Sequence, residues 1–107
     1  MPKPSFILAI TSVPTNKQAH KISKDLLENK LVACVNIIDK VDSMFRWNNK
    51  IVLEKEVIII IKTIKSNKDK LKSYILNNHP YDNPELIFLP IDSGLNAYLK
   101  WIEKEIL

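Results

Sequence analysis

The stretch "NHPYDNPE", residues 78–85, sets an imidazole and a phenol between two rigid prolines. Pro80 disfavours the helical conformation for the residue before it, so His79 closes whatever helix precedes it. Neutral imidazole is the commonest side-chain ligand for Cu, Zn and Ni, which makes His79 a candidate metal ligand. A histidine at a helix C-terminus is equally favoured by the helix dipole alone. Glu54 and Glu56 share one strand face, because side chains alternate along a strand. Two carboxylates there could complete a hard or borderline metal site, or stay solvated and pair with Arg46 or a lysine. A Cys34 thiolate would suit Cu(I), but a lone cysteine in an apolar strand also behaves as a small buried hydrophobe. A second constellation is Trp47, Lys50, Lys62 and Tyr81. Lys62 interrupts an apolar strand, and its ammonium with aromatic walls could hold an anion or small metabolite in a cleft between subunits. The alternative is interface packing by the rings and a lysine that reaches along the sheet to water.

The scaffold that would hold these side chains can be read from pattern. Phe6 to Thr11 is a short apolar strand, ended by Pro14. Thr15 and Gln18 form a T-x-x-Q capping signal. Ala19, Ile22, Leu26 and Leu27 then recur at helical spacing, giving a helix to about Glu28. "LVACVNII" is a second strand, extended through "VDSMFRW" to a turn at Asn48–Asn49. A third strand runs from Ile51 to about Ile64. Ser66 and Asp69 signal another helix start, and Leu71, Tyr74 and Ile75 give that helix its apolar stripe, which stops before His79. "LIFLPI" is strand four. Gly94 breaks the chain before a closing helix with Leu95, Tyr98, Leu99, Ile102 and Ile106 on one face. The expected fold is α+β, a ferredoxin-like split β-α-β-β-α-β with an extra C-terminal helix, over a single domain spanning residues 1–107.

An antiparallel sheet covered by helices on one face alternates apolar and polar residues. Val57 through Ile61 are apolar at both parities, and so is "LVACV". Something must cover the second face. The closing helix can take part of it, and the rest implies a homo-oligomer, because a wide exposed isoleucine patch would aggregate.

Composition narrows the function classes. The chain has 107 residues, 46% apolar, with a net charge of +4. No apolar run approaches the roughly 20 residues of a membrane span. The N-terminal "MPKPSFILAIT" reads as a strand rather than a signal peptide, so a cytoplasmic location is expected. Cys34 is the only cysteine, which excludes an intrachain disulfide and cysteine-cluster zinc motifs. Arg46 is the only arginine, and the lysines are interleaved with Asp, Glu and Asn, a poor match to specific phosphate or base recognition. An RNA-recognition module needs exposed aromatics on its third strand, and "VIIII" has none. Nothing sets His79 or His20 beside a serine or Cys34 with an orienting acid, so no nucleophilic catalysis, and no enzyme, is expected. His20 reads as solvent-exposed among lysines.

These residues together resemble a known family. "LVACVNII", "MFRW" with Lys50 closing a W-x-x-K turn, "EKEV" before a strand ending "IKT", "HPYDNPE", "LPI" and "YLKWI" are similar to the CutA divalent-cation tolerance proteins, in order and spacing from about Phe6 to Ile106. The resemblance implies a compact, very stable homotrimer, with His79 bordering a cleft between subunits and a link to copper and other divalent ions. It also implies a likeness to the PII-type signalling trimers, and animal relatives are tied to acetylcholinesterase anchoring. Family members discussed as copper binders carry cysteine at the position of Thr11 and a second histidine at that of Asn78. With one histidine in place, a tight mononuclear site needs symmetry copies or carboxylates from a neighbour. The expectation is therefore weak binding of Cu(II) or another divalent cation by His79, Glu54, Glu56 and Cys34. The alternative is a PII-like trimer whose cleft takes an anion or a protein partner.

Overall fold

The computed structural model describes residues 5–107; Met1–Pro4, part of the N-terminal reading, lie outside the described residues. Strand β1 (Phe6–Val13) continues two residues beyond the expected Thr11, because Ser12 and Val13 still pair with Ile58 and Val57. Helix α1 (Asn16–Glu28) starts at the expected cap. Thr15 Oγ1 accepts the Gln18 amide at 3.2 Å, and its hydroxyl donates to Gln18 Oε1 at 2.9 Å. One half of a capping box is thus in place, and the side chains bond to each other instead of closing the other half. Ala19, Ile22 and Leu26 are buried as expected. Leu27 is not: it is 41% exposed, and Ser23 takes the fourth buried position.

Strand β2 (Cys34–Trp47) begins after "LVA", which runs in as a buried connection. Its Leu31 carbonyl accepts from Thr63 Oγ1 at 2.7 Å and from Asn67 Nδ2 at 3.0 Å. This also explains helix α2 (Lys68–Asn78). The expected Ser66 cap is not used; a 3-10 turn at Lys65–Asn67 leads in, and the Asn67 amide holds Leu31 rather than the helix end. Strand β3 (Lys50–Ile64) joins β2 through Asn48 and Asn49, both at positive φ (49° and 63°), as a tight two-residue hairpin turn demands. Strand β4 (Ile87–Pro90) is the central part of "LIFLPI", and α3 (Asn96–Ile106) closes the chain.

The sheet order is β2-β3-β1-β4, antiparallel throughout, which is the split βαβ arrangement. Ala9, Val13, Val57, Ile59 and Ile61 face α1 and α2 and form the main core with Ile22, Leu26, Leu71 and Ile75. The opposite parity is also apolar. Helix α3 covers its lower end, where Ile102 and Ile106 pack with Ala33, Ile64 and Phe6. Leu95 and Tyr98, expected on the buried side of α3, are 82% and 42% exposed. The remainder of that face is open. Leu8, Ile10, Ile58 and Ile60 are half-buried, and Ile38, Ile87 and Leu89 are exposed. Beyond Val57 the strands β2 and β3 leave β1 behind and project as a two-stranded arm, so the molecule measures 50 × 26 × 23 Å.

Candidate functional site

The arm begins at a bulge. Asp39 and Lys40 sit between the pairs Ile38↔Ile58 and Val41↔Glu56, with Lys40 at φ 59°. An irregularity of this kind bends the strand and re-aims its outer half. Beyond it, Ser43↔Glu54, Phe45↔Val52 and Trp47↔Lys50 share one face with Glu56. The loop 80–85 lies over this face beside Ser12. Together they enclose a groove of about 600 Å³, whose lining includes Trp47, Phe45, Glu54, Glu56, Tyr81 and Glu85.

His79 is the anchor of that loop. The Tyr81 amide donates to His79 Nδ1 at 3.0 Å, so Nδ1 carries no proton. The proton is then on Nε2, which donates to the Ser12 carbonyl at 2.7 Å. The ring leans on Tyr81, with centroids 5.0 Å apart. Burial holds the His79 pKa below its ordinary 6.5, against the opposing pull of the Ser12 carbonyl and the Glu56 charge. Both nitrogens are in use, so a metal ion at His79 would have to displace either the Tyr81 amide or the Ser12 carbonyl.

Tyr81 in turn donates its hydroxyl to Glu56 Oε2 at 2.9 Å. Burial, this bond, and the charges of Glu56 and Glu54 push the Tyr81 pKa up to about 12. Glu85 is raised by burial and by Glu56. Four carboxylates line the groove (Glu54, Glu56, Asp82 and Glu85) and, among the described residues, no lysine or arginine does. The pairing of Glu54 or Glu56 with Arg46 is not made: Arg46 stands opposite Ile51 on the other face of the arm. Among the described residues the ion pairs are Lys24–Glu28 and Lys55–Asp42, which leave both glutamates free.

The two constellations of the sequence are therefore redistributed. Glu54, Glu56, Trp47 and Tyr81 meet in the groove, with His79 behind the loop and Lys50 across from Trp47 at the arm's tip. Cys34 and Lys62 are elsewhere. They pair with each other across β2 and β3, level with Leu8, while His79 bonds at Ser12. Four residues of strand put them about 13 Å away. Cys34 is half-buried, and Lys62 Nζ lies 5.6 Å from the Tyr98 ring centroid on α3. Among the described residues no three His, Cys, Asp or Glu side chains come together to hold a metal ion. Phe45 and Glu85 also belong to the site, and sequence reasoning missed both; period-two spacing from Trp47, and the end of "HPYDNPE", were the available signals.

The fold and the groove define a class, a split-βαβ protein with an arm and a C-terminal helix on the second sheet face. The family model described as CutA1 divalent ion tolerance protein matches residues 7–105. The chain belongs to this family. The divalent-cation tolerance protein CutA of Thermus thermophilus is 36% identical over 97 residues, 91% of this chain and 94% of that one. The chloroplastic CutA of Arabidopsis thaliana is 37% identical over 100 residues, 94% of this chain. The chain spans 54% of the Arabidopsis protein's length. The crystal structure of divalent ion tolerance protein CutA1 from Ehrlichia chaffeensis is similar over 99% of both chains, with a TM-score of 0.93 and 31% identity.

Proposed function

We propose that the protein is a non-enzymatic homotrimer that binds copper or another divalent cation weakly, in the groove between the arm and the loop 80–85, where a neighbouring subunit supplies further ligands. The observation that carries this reading is the lining of one groove by Glu54, Glu56 and Glu85 without a positive partner, with Glu85 raised by burial and further by repulsion from Glu56. A cation placed there relieves that repulsion. The family's name adds the class of ion. Binding is weak because one subunit brings no cluster of three ligands among its described residues, and because the imidazole is already committed. The alternative cleft for an anion, built from Lys62 with Trp47 and Tyr81, has its lysine on a different part of the sheet within one subunit.

Isothermal titration of Cu(II) and Zn(II) into wild type, Glu56→Gln and His79→Ala tests the proposal. Stoichiometric uptake by the wild type that falls in Glu56→Gln is the expected result. Loss in His79→Ala as well would make the imidazole a ligand or the loop an essential wall. A wild type that takes up neither ion refutes the metal reading.

A further inference from the structure

The groove carries more than its charge. Its volume, about 600 Å³, falls within the roughly 300–1,000 Å³ of sites for organic molecules and far exceeds what one metal ion fills. Phe45, Trp47, Val52 and Pro80 give it apolar walls. Its carboxylates are spread along its length, two from β3 and two from the loop, and do not converge on one point. Glu54 and Glu56 are two residues apart on one strand face, an interval of about 7 Å. Ser12 also lines the groove. It is 5% exposed and sits on β1, at the inner wall.

Distributed negative charge on aromatic and aliphatic walls is the complement of a flexible organic cation. We propose that the groove takes an alkylammonium ion of the diamine or polyamine class, its methylene chain against Trp47 and Phe45 and its ammonium groups on Glu54, Glu56 and Glu85. Aromatic faces attract ammonium ions, and the walls exclude water from the alkyl chain. Ser12 offers a neutral hydrogen-bond partner at the inner wall. Several carboxylates in a row favour a ligand with several ammonium groups over the single one of a protein lysine. This assignment does not rest on the metal reading, and either can fail alone.

The test is calorimetric titration of spermidine into the assembled protein with EDTA present. Wild type is compared with Glu54→Gln, Glu56→Gln, Trp47→Ala and Lys62→Ala, and circular dichroism checks that each variant is folded. Saturable binding that weakens about tenfold in each glutamate variant and also weakens in Trp47→Ala, but is unchanged in Lys62→Ala, is the expected result. Equal binding by all variants would show general attraction to the surface and overturn the proposal. So would displacement of spermidine by sodium chloride and magnesium chloride in equal measure at matched ionic strength. If spermidine does not bind but a lysine-containing peptide does, the occupant is a partner protein's side chain and the free polyamine is excluded.

Discussion

His79 shows how a residue chosen for one chemistry is held by another. Its neutral tautomer is fixed by a donor on one side and an acceptor on the other. Protonation would set Nδ1–H against the Tyr81 amide N–H and break the loop's tie to β1. The groups that face the ring are Tyr81, the Ser12 carbonyl and the Glu56 carboxylate, and the last two favour the charged form without outweighing burial. Because the folded pKa is depressed, the tie contributes fully above the ordinary value of about 6.5. Its contribution is lost progressively as pH falls below that value. An NMR titration of the His79 ring should therefore give a pKa under about 6.5, with lower amide protection, relative to the intrinsic exchange rate at each pH, at Tyr81, Asp82, Asn83 and Glu85 on the acid side. A His79 that titrates above that value would mean the ring is charged and the loop is held otherwise. The motif made the two prolines and the imidazole legible. It could not reveal Ser12, because the partner lies on another strand, and a carbonyl carries no signature in sequence. Lys62 failed for a similar reason. Its interruption of an apolar run was visible, but its distance from Trp47 and Tyr81 depends on register.

At the scale of elements, the local signals worked where the chemistry was local. Thr15 caps α1 and the Asn48–Asn49 pair turns the arm, each through backbone groups within three residues. Helix α2 misled because Asn67 serves a carbonyl 36 residues away, so tertiary bonding displaced the expected Ser66 cap. Leu27 and Leu95 extended an apolar stripe by one position too many, and each turns out to solvent. Thr15→Ala removes the acceptor for the Gln18 amide. It should cost about 1 kcal/mol, a fall in melting temperature of roughly 4–8 °C for a domain of this size. Thermal denaturation followed by circular dichroism measures it. No change would mean that water replaces the hydroxyl at this exposed end and that packing of Ala19, Ile22 and Leu26 alone sets the helix.

At the scale of the whole molecule, the decisive feature is the sheet's second face. Alternation fails along β3 in the sequence, and the structure leaves Leu8, Ile10, Ile58 and Ile60 only half-covered after α3 has taken its share. Ile38, Ile87 and Leu89 extend the same surface to both edges of the sheet. Apolar surface of this extent is costly in water, at roughly 25 cal/mol per Å² left exposed. A threefold assembly that buries it is also the proposed source of the neighbour's ligands in the groove along the arm. Light scattering after size exclusion should then give three times the 12.4 kDa chain mass. Melting should shift upward with protein concentration, since association stabilises by mass action. Ile60 is the point to strike, because it lies opposite Ile10 and Asn36 on the uncovered side and outside the helix-facing core. Ile60→Glu should lower the mass to that of one chain or drive precipitation, while Lys55→Glu, on the other face of the arm, leaves it unchanged. A wild type that runs as a monomer at micromolar concentration would remove the trimer, and with it the neighbour's contribution to the groove.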